Sequence, residues 1–408
     1  MPALEHIVVV GASAAGLTAA ETLRREGFTG TLTMIGDEIH APYDRPPLSK
    51  QVLTGDRAPE QLALRAPDLL GRLDLELRSG CRATGVDTAA RIVTFADANH
   101  APGRTRTADR VRYDGLVIAT GLRPRLLPSG HDLTGVHVLR TMDDALTLRA
   151  ELTTAPRVVV IGGGFLGSEI AASARELGLD VTLVDVEPAP LTRQFGPVVA
   201  DLVAGLHRDH GVRLRMGRKV SALEGAHGRV TAVTLDDGTR LPAEVVVVAI
   251  GSTPAVDWLA DSGLPLGDGL RCDEYCRAAP DIYAAGDMAN WPHPALGARI
   301  RLEQRTNAGD QAGTAARNLL AEPGQETPYA PVPFGWTDLY RDKIQLHGWC
   351  PAGARVEIVA GDPGDRSFVA LYHRGGRVVG ALGWNSVRTL REYRCRVTAP
   401  ADPVRGAG

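Results

Sequence analysis

The sequence has no long hydrophobic run and no strong excess of charge. No stretch of the 408 residues approaches the roughly 18 consecutive apolar residues of a membrane-spanning helix, and the N-terminus lacks the basic and apolar segments of an export signal. The net charge is −3, so no overall positive field attracts nucleic acid or an anionic membrane. We therefore expect a cytoplasmic protein without a nucleic-acid or membrane partner.

Cysteine is also scarce, and metal-binding patterns are missing. The five cysteines are scattered and odd in number, which is typical of reduced thiols in a cytoplasm. Cys272 and Cys276 lie four residues apart, but no second cluster completes a zinc site. The 11 histidines show no ligand spacing, and no Ser-His-Asp arrangement is visible. We therefore predict no metal site.

Glycine-rich turns are present, and each follows a run of apolar residues. The first, Gly11-Ala12-Ser13-Ala14-Ala15-Gly16, follows residues 7–10, and the second, Gly162-Gly163-Gly164-Phe165-Leu166-Gly167, follows residues 158–161. A late Gly286-Asp287 completes the set. A strand–turn–helix unit of this kind binds the pyrophosphate of a dinucleotide at the N-terminus of its helix. Two units predict two dinucleotides in one chain, which is the layout of a flavoprotein that takes hydride from a nicotinamide.

The first unit is predicted to hold FAD. Gly11 supplies the tight turn and Gly16 the close contact of helix and strand, whereas Ser13 replaces the middle glycine. An acid at the end of the second strand accepts hydrogen bonds from the adenosine ribose. We favour Asp37 over Glu38 for this contact.

Lys50 follows a stiff segment with two adjacent prolines, Pro46 and Pro47. One interpretation is a rigid surface loop with solvated charges. The other is a cation beside the flavin, where it stabilises the negative charge that hydride delivery creates. The sequence leaves both interpretations open.

The second unit is predicted to bind NADH. Gly162, Gly164 and Gly167 give it all three glycines, and its next strand ends on Asp185. A carboxylate at this place bonds the free 2′-hydroxyl of NADH and repels the 2′-phosphate of NADPH. The three residues that follow add another acid, Glu187, and no base, so NADH is favoured over NADPH.

The segment Arg45-Pro46-Pro47-Leu48-Ser49-Lys50, directly downstream of the first glycine turn, resembles the ferredoxin and rubredoxin reductases of bacterial oxygenase systems. The resemblance extends from residue 6 to about residue 396. It implies an α/β fold with two Rossmann-like dinucleotide-binding domains of the glutathione-reductase type and a C-terminal α+β interface domain. We expect a discontinuous FAD domain at residues 1–112 and 253–325, an NAD domain at 113–252 and the C-terminal domain at 326–408.

The resemblance also implies site residues. Those for FAD are Gly11, Ser13, Ala15, Gly16, Asp37, Arg45, Lys50, Ala83, Ala119, Thr120, Gly121, Arg140, Asp287 and Arg305. Those for NADH are Gly162, Gly164, Phe165, Leu166, Gly167, Glu169, Asp185, Arg193 and Gly251. We expect Lys50, Glu169 and Trp336 to be the catalytic residues beside the flavin and the nicotinamide. Glu169 is otherwise an ordinary acid in the first turn of a helix, and Trp336 is otherwise a core aromatic. Arg305 departs from the aromatic or small apolar residue that family members often carry.

Residues 17–60 contain no cysteine, so the cysteine pair of flavoprotein disulfide reductases is absent and electrons leave the flavin without a thiol relay. We predict an FAD-dependent NADH:ferredoxin oxidoreductase that serves a cytochrome P450 or a Rieske oxygenase. The alternatives are a rubredoxin reductase, an NADH oxidase or quinone-type reductase without a protein acceptor, and a non-catalytic FAD-binding interaction protein. The intact second glycine turn argues against the last.

A basic helix is predicted near the end of the sequence, with Arg388, Arg391, Arg394 and Arg396 opposed only by Glu392. Most charge runs are solvated surfaces, but the resemblance implies an acidic [2Fe-2S] ferredoxin as the partner, and complementary charge guides such docking. We therefore predict that ferredoxin docks near these arginines. The alternative docking site comprises Arg299, Arg301 and Arg305.

Overall fold

We describe the protein from a computed structural model, which covers residues 4–98 and 108–398. The strands are β1 (His6–Val10), β2 (Thr31–Ile35), β3 (Leu75–Arg78), β4 (Cys81–Asp87), β5 (Ile92–Asp97), β6 (Asp109–Arg112), β7 (Gly115–Ile118), β8 (Leu122–Pro124), β9 (Val136–His137), β10 (Arg157–Ile161), β11 (Asp180–Asp185), β12 (Arg213–Met216), β13 (Val220–Ala226), β14 (Arg229–Leu235), β15 (Arg240–Pro242), β16 (Val245–Val248), β17 (Ser252–Pro254), β18 (Leu266–Gly267), β19 (Gly269–Arg271), β20 (Arg277–Ala279), β21 (Ile282–Ala284), β22 (Ala289–His293), β23 (Ala298–Ile300), β24 (Phe334–Leu339), β25 (Asp342–Gly348), β26 (Arg355–Asp362), β27 (Ser367–Arg374) and β28 (Arg377–Trp384).

The helices are α1 (Ala14–Arg25), α2 (Gln51–Thr54), α3 (Pro67–Gly71), α4 (Met142–Leu152), α5 (Phe165–Glu176), α6 (Thr192–Asp209), α7 (Arg305–Leu320) and α8 (Val387–Tyr393). Short 3-10 helices span Pro46–Ser49, Pro59–Leu62, Asp257–Leu259 and Arg394–Arg396. Among the described residues, no helix combines the length and the apolar character that crossing a bilayer requires.

The first glycine turn belongs to a six-stranded sheet with the strand order β20-β21-β7-β1-β2-β3. The central strand β1 pairs in parallel with β2 on one side and with β7 on the other. Helices α1 and α7 pack together, and their apolar residues share one core with the sheet. Strand β7 lies beyond the expected domain boundary at residue 113. The first unit therefore extends through Ile118, because β7 hydrogen-bonds to β1 and β21.

The second glycine turn belongs to a five-stranded sheet with the order β12-β11-β10-β16-β9, in which every pair is parallel. The two units repeat one local design. In the first, the N–H of Gly11 donates to the carbonyl of Ile35 at 2.8 Å, and in the second, the N–H of Gly162 donates to that of Val184 at 2.8 Å. Each turn is thereby fixed at the carboxyl edge of its sheet, where ligands of parallel α/β folds bind.

The C-terminal part forms an antiparallel sheet with the order β24-β25-β28-β27-β26, followed by α8. The sequence alone predicts strands at residues 343–346, 355–359, 368–372 and 378–382 and a hairpin turn at Gly375–Gly376, and the structure has β25 to β28 there. It predicts no strand at the place of β24. Strand β24 contacts both α5 and α7, so it lies against both dinucleotide-binding units. Phe195 and Val199 of α6 also pack against this sheet, in a core that includes Ile344 and Phe368.

Candidate active site

The two glycine-turn units open into one cavity of about 320 Å³. The first unit lines it with residues 13–15, and the second with Phe165, Leu166 and Glu169 at the start of α5. The other lining residues are Tyr43, Arg45, Pro46, Leu48, Ser49, Lys50, Ala119, Gly121, Leu139, Arg140, Gly286, Asp287, Glu303, Gln304, Arg305, Ala308, Gly335 and Trp336. The cavity therefore joins residues expected at FAD to Glu169, which is expected at the nicotinamide.

The two glycines of the first turn leave no room for a side chain. A Cβ added at Gly11 would lie 2.2 Å from the carbonyl oxygen of Ala119, and one at Gly16 would lie 1.8 Å from the carbonyl oxygen of Gly11. Both positions exclude any side chain. Ser13 precedes α1 as its N-cap residue, and its hydroxyl caps no backbone N–H within the described chain. The turn thus presents N–H groups at a helix N-terminus, which fits a pyrophosphate.

The two acids after β2 have different surroundings. The Asp37 side chain is 54% exposed and has a single ion-pair contact in the described chain, with Arg82 at 3.5 Å. Glu38 instead accepts hydrogen bonds from Tyr43 Oη at 2.5 Å and from Arg45 Nη2 at 2.6 Å. Asp37 is therefore the carboxylate that is open to a ribose hydroxyl.

Some residues expected at FAD lie outside the lining of the cavity. Ala83 is buried in β4. Thr120 follows β7, and its hydroxyl donates to the carbonyl of Ala255 at 2.8 Å. Gly121 next to it does line the cavity, and a Cβ there would lie 3.0 Å from Arg140 Nη2. The end of β7 therefore contributes Ala119 and Gly121 to the lining of the cavity, whereas the Thr120 hydroxyl is bonded elsewhere.

Two arginines face Asp287 inside the cavity. Arg140 Nη2 lies 3.7 Å from Asp287 Oδ2, and Arg45 donates to the backbone oxygen of Arg140 at 2.6 Å. Burial raises the pKa of Asp287, and the nearby Arg140 cation opposes this shift. Arg45 Nε is buried and finds no hydrogen-bond partner in the described part of the chain. A buried polar group without a hydrogen-bond partner at the wall of a cavity fits a polar cofactor such as FAD.

Lys50 and Glu169 form a buried ion pair. Lys50 Nζ lies 2.8 Å from Glu169 Oε2, and the two side chains are 12% and 9% exposed. Lys50 follows the 3-10 helix Pro46–Ser49 of the first unit, whereas Glu169 lies on α5 of the second. The pair therefore joins the two units at the cavity, and Lys50 does not belong to a solvated loop.

Arg305 and Trp336 lie on the C-terminal side of the cavity. Arg305 is the first residue of α7, and its Nε donates to Asp44 Oδ1 at 2.5 Å. Trp336 lies on β24, and its ring stacks on Phe334 with 5.9 Å between ring centroids. Trp336 is thus a cavity residue and not a closed core aromatic.

The second glycine turn repeats the geometry of the first. A Cβ at Gly162 would lie 2.2 Å from the carbonyl oxygen of Ala249, and one at Gly167 would lie 1.8 Å from that of Gly162. Gly164 is the N-cap residue of α5. Gly251 follows β16 with a φ of +95°, and it is exposed. The agreement with the first turn indicates a second pyrophosphate site.

Asp185 ends β11 beside this turn. Its Oδ2 accepts the N–H of Gly163, and its Oδ1 accepts the N–H of Glu187 at 2.8 Å. Arg193, expected near the phosphates, is exposed and pairs with Glu187 through Nε at 2.7 Å. Two carboxylates, those of Asp185 and Glu187, therefore lie beside this turn, and Arg193 already has a carboxylate partner in Glu187.

The structure adds residues that the sequence analysis missed. Ser49 Oγ and Thr337 Oγ1 both donate to the Glu169 carboxylate. Glu169 lies 120 residues from Ser49 and 168 residues from Thr337 along the chain, so no local pattern predicts these contacts. Tyr43 was missed as well, although it lies beside Arg45 in the sequence.

Metal ligands do not converge anywhere in the described residues: no group of three or more His, Cys, Asp or Glu side chains is arranged to hold a metal ion. Cys272 and Cys276 are buried free thiols. Burial raises the pKa of both, that of Cys272 to about 12. Buried thiols with a raised pKa are typical of structural rather than reactive cysteines.

Known proteins resemble this chain over nearly its whole length. The family profile described as Pyridine nucleotide-disulphide oxidoreductase matches residues 5–312, and that described as Reductase C-terminal matches residues 334–405. Rhodocoxin reductase of Rhodococcus erythropolis is 38% identical over 94% of this chain and 87% of the relative. The anthranilate 1,2-dioxygenase system ferredoxin–NAD(+) reductase component of Burkholderia cepacia is 36% identical over 98% of this chain and 95% of the relative.

A solved structure shows the same likeness. The reductase in the covalent putidaredoxin reductase–putidaredoxin complex superposes with a TM-score of 0.89 and 32% identity, over 97% of this chain and 93% of that chain. The expected fold class, with its two Rossmann-type domains and C-terminal domain, is thereby confirmed. The family-wide use of FAD and NAD(P)H agrees with the two glycine turns. The chain belongs to the pyridine nucleotide-disulphide oxidoreductase family and, within it, to the flavoprotein ferredoxin reductases.

Proposed function

We propose that this flavoprotein is an NADH-dependent ferredoxin reductase, which passes electrons from NADH through FAD to a [2Fe-2S] ferredoxin that serves a cytochrome P450 or a Rieske oxygenase. The observation that carries the proposal is the single cavity shared by both glycine-turn units, with the Lys50–Glu169 pair at their junction. The names of two relatives support the acceptor: one is rhodocoxin reductase, and the other is a ferredoxin–NAD(+) reductase component of a dioxygenase system.

The side chains of the cavity bind and orient the reactants. When bound, FAD supplies the redox chemistry that the side chains lack, by accepting hydride from the nicotinamide and releasing electrons. In the proposal, Lys50 places a positive charge where negative charge develops, and Glu169 fixes the position of that charge. Trp336 contributes to the lining of the cavity from the C-terminal domain.

The preference for NADH is proposed to reside at the end of β11. Asp185 and Glu187 place two carboxylates where the ribose of the nicotinamide cofactor is expected, and Glu187 pairs with Arg193 at 2.7 Å. A 2′-phosphate at this place would meet negative charge, whereas a 2′-hydroxyl would find an acceptor. This arrangement supports NADH over NADPH.

The docking surface is proposed to include Arg391 and Arg394. Arg388, Arg391, Arg394 and Arg396 are all exposed, although α8 is shorter than expected and the last two lie in the 3-10 turn after it. Arg391 and Arg394 line a surface cavity of about 430 Å³ together with Phe334. Because Phe334 stacks on Trp336, an aromatic pair connects this basic surface to the proposed flavin cavity.

The test is NADH-dependent reduction of cytochrome c with an added [2Fe-2S] ferredoxin. The reaction should require the ferredoxin and should weaken as salt rises, because exposed charges are screened over about 8 Å at physiological ionic strength. The double variant Arg391→Glu/Arg394→Glu should raise the KM for ferredoxin about 10-fold at low salt, through slower encounter. Reduction of ferricyanide should be unchanged, since a small oxidant reaches the flavin without docking.

The matched control is Arg110→Glu/Arg112→Glu, which makes the same change of charge on β6. This strand contributes no residue to either cavity. The control should leave the KM for ferredoxin close to that of the wild type. An equal rise in both double variants would assign the effect to net charge, and a protein that NADH cannot reduce at all would contradict the proposed function.

A further inference from the structure

A buried polar cluster around Glu169 joins three parts of the chain. Glu169 lies on α5 and is 7% exposed. Its Oε2 accepts a hydrogen bond from Ser49 Oγ at 2.6 Å and lies 2.8 Å from Lys50 Nζ. Its Oε1 accepts a hydrogen bond from Thr337 Oγ1 at 2.8 Å. A carboxylate is tolerated in such a place when both of its oxygens have partners.

The two carboxylate oxygens are not equally secured. Oε2 has two donors, and one of them, Ser49, is itself fixed because its backbone oxygen accepts a hydrogen bond from Ser173 at 2.7 Å. Oε1 has Thr337 as its one donor within the described residues. The last torsion of a glutamate side chain is soft. Loss of the Thr337 hydroxyl therefore frees the carboxylate to rotate, which moves Oε2 relative to Lys50.

Strand β24 fixes the position of Thr337. The strand pairs with β25 along its whole length, with Thr337 opposite Ile344, and Thr337 is fully buried. Neighbouring side chains of a strand point to opposite faces, so Trp336 lines the cavity while Thr337 reaches α5. Because a β-branched side chain is restricted at χ1, the hydroxyl has little freedom.

We propose that Thr337 is a positioning residue for the reaction in the cavity: its hydroxyl orients the Glu169 carboxylate, which in turn holds the Lys50 ammonium group in place. A residue of the C-terminal domain thereby sets the geometry of an ion pair formed by the other two units. The catalytic consequence rests on the proposed function, whereas the placement of the Lys50 amine does not.

The first test is anaerobic bleaching of the FAD-loaded protein by NADH, in the variants Thr337→Val and Thr337→Ser. Valine replaces the hydroxyl with a methyl group of similar size, and the limiting rate constant should fall about 10-fold, since small misplacements of a reacting group have effects of this order or larger. The NADH concentration at half-saturation should be unchanged. Serine keeps the donor and should restore most of the rate.

The control for the first test is Thr182→Val. Thr182 is a buried threonine of β11 whose hydroxyl accepts a hydrogen bond from Arg213 at 3.3 Å, and it does not line the cavity. The substitution should leave bleaching unchanged. In addition, Thr337→Val combined with Glu169→Gln should be no slower than Glu169→Gln alone, because residues that act through one group are not additive.

The second test needs no turnover. The chain contains three lysines, Lys50, Lys219 and Lys343, so acetylation of each amine by an N-hydroxysuccinimide ester can be followed by mass spectrometry. In the wild type, Lys50 should react more slowly than the exposed Lys219, because its side chain is 12% exposed and paired. Thr337→Val should raise the labelling rate of Lys50 several-fold and leave that of Lys219 unchanged, and Thr337→Ser should resemble the wild type.

Wild-type bleaching together with wild-type labelling of Lys50 in Thr337→Val would overturn the proposal. Equal losses of rate in Thr337→Val and Thr337→Ser, with unchanged labelling, would also overturn it, because the effect would then come from packing. A wild-type protein that NADH cannot bleach would refute the proposed function instead. The labelling of Lys50 would still decide whether Thr337 positions the pair.

Discussion

Asp185 is the residue that we propose to set the preference for NADH over NADPH. In Asp185→Ala, the preference for NADH over NADPH in anaerobic flavin bleaching should fall by about 10- to 100-fold, because a hydrogen bond to a charged acceptor contributes roughly 1.5–3 kcal/mol. Binding of NADH should weaken and binding of NADPH should strengthen, since the repulsion of the 2′-phosphate is lost with the ribose contact.

The control for this prediction is Asp180→Ala, at the other end of β11, where Asp180 pairs with Arg213 at 2.7 Å. This variant should keep the wild-type preference. Weaker binding of both nucleotides in Asp185→Ala would show instead that the substitution damages the turn, because Asp185 also accepts the N–H of Gly163.

Some site residues could be predicted from the sequence and others could not. The difference is whether the atoms that constrain the residue lie nearby or far away along the chain. Gly16 could be predicted because the atom that excludes a side chain there, the carbonyl oxygen of Gly11, belongs to the same turn. Lys50 could be located but not interpreted, since its partner Glu169 lies on another unit. Thr337 could not be predicted at all, because its hydroxyl gains a role only when β24 packs on α5.

The same holds for strands: those with a clear local pattern could be predicted, and one held in place by distant contacts could not. The central parallel strands β1 and β10 were evident as apolar runs, because both faces of their sheets are buried. Strand β24 was not, since Gly335, Thr337 and Asp338 interrupt its apolar pattern, and its pairing with β25 and its contacts with two helices hold it in place. The strand missed from sequence is therefore the one that carries Trp336 and Thr337 into the site.

Helix α6 carries a histidine that makes the contact with the C-terminal sheet sensitive to pH. His207 is fully buried, and its Nδ1 lies 3.0 Å from Tyr340 Oη, in the turn between β24 and β25. Burial, with a smaller contribution from the charge on His210, lowers the pKa of His207 from 6.5 to about 4. The unfolded chain therefore binds a proton between about pH 6.5 and pH 4 that the folded chain does not bind, so stability falls as the pH falls through this window.

The loss from His207 should reach about 2 kcal/mol between pH 7 and pH 5. In His207→Gln, urea denaturation of the FAD-loaded protein should show a correspondingly smaller drop in unfolding free energy between these two pH values. The control is His210→Gln, which removes the exposed ring stacked on Tyr340 at 3.6 Å and should leave most of the drop in place. A drop in His207→Gln as large as that of the wild type would contradict the assignment.

The whole molecule contains two glycine-turn units with the same local geometry and a third domain that packs against both. The two turns agree in their backbone hydrogen bonds and in the distances at which an added Cβ would collide. They differ in the acid that follows, because Asp37 is open whereas Asp185 is bonded to its own turn. A matched pair of variants tests the assignment of FAD to the first turn and of NADH to the second.

Gly16→Ala and Gly167→Ala form that pair, since each adds a Cβ 1.8 Å from a carbonyl oxygen of its own turn. The start of the helix must shift in both, because the atom that the added Cβ would meet belongs to the backbone. Gly16→Ala should therefore purify with less FAD per chain, measured by absorbance after release of the flavin. Gly167→Ala should be fully yellow and should bleach with dithionite but poorly with NADH. Gly205→Ala, a helical glycine whose added Cβ would meet no atom within 4 Å, should match the wild type in both measurements, and the reverse pattern in the first two variants would exchange the cofactors between the units.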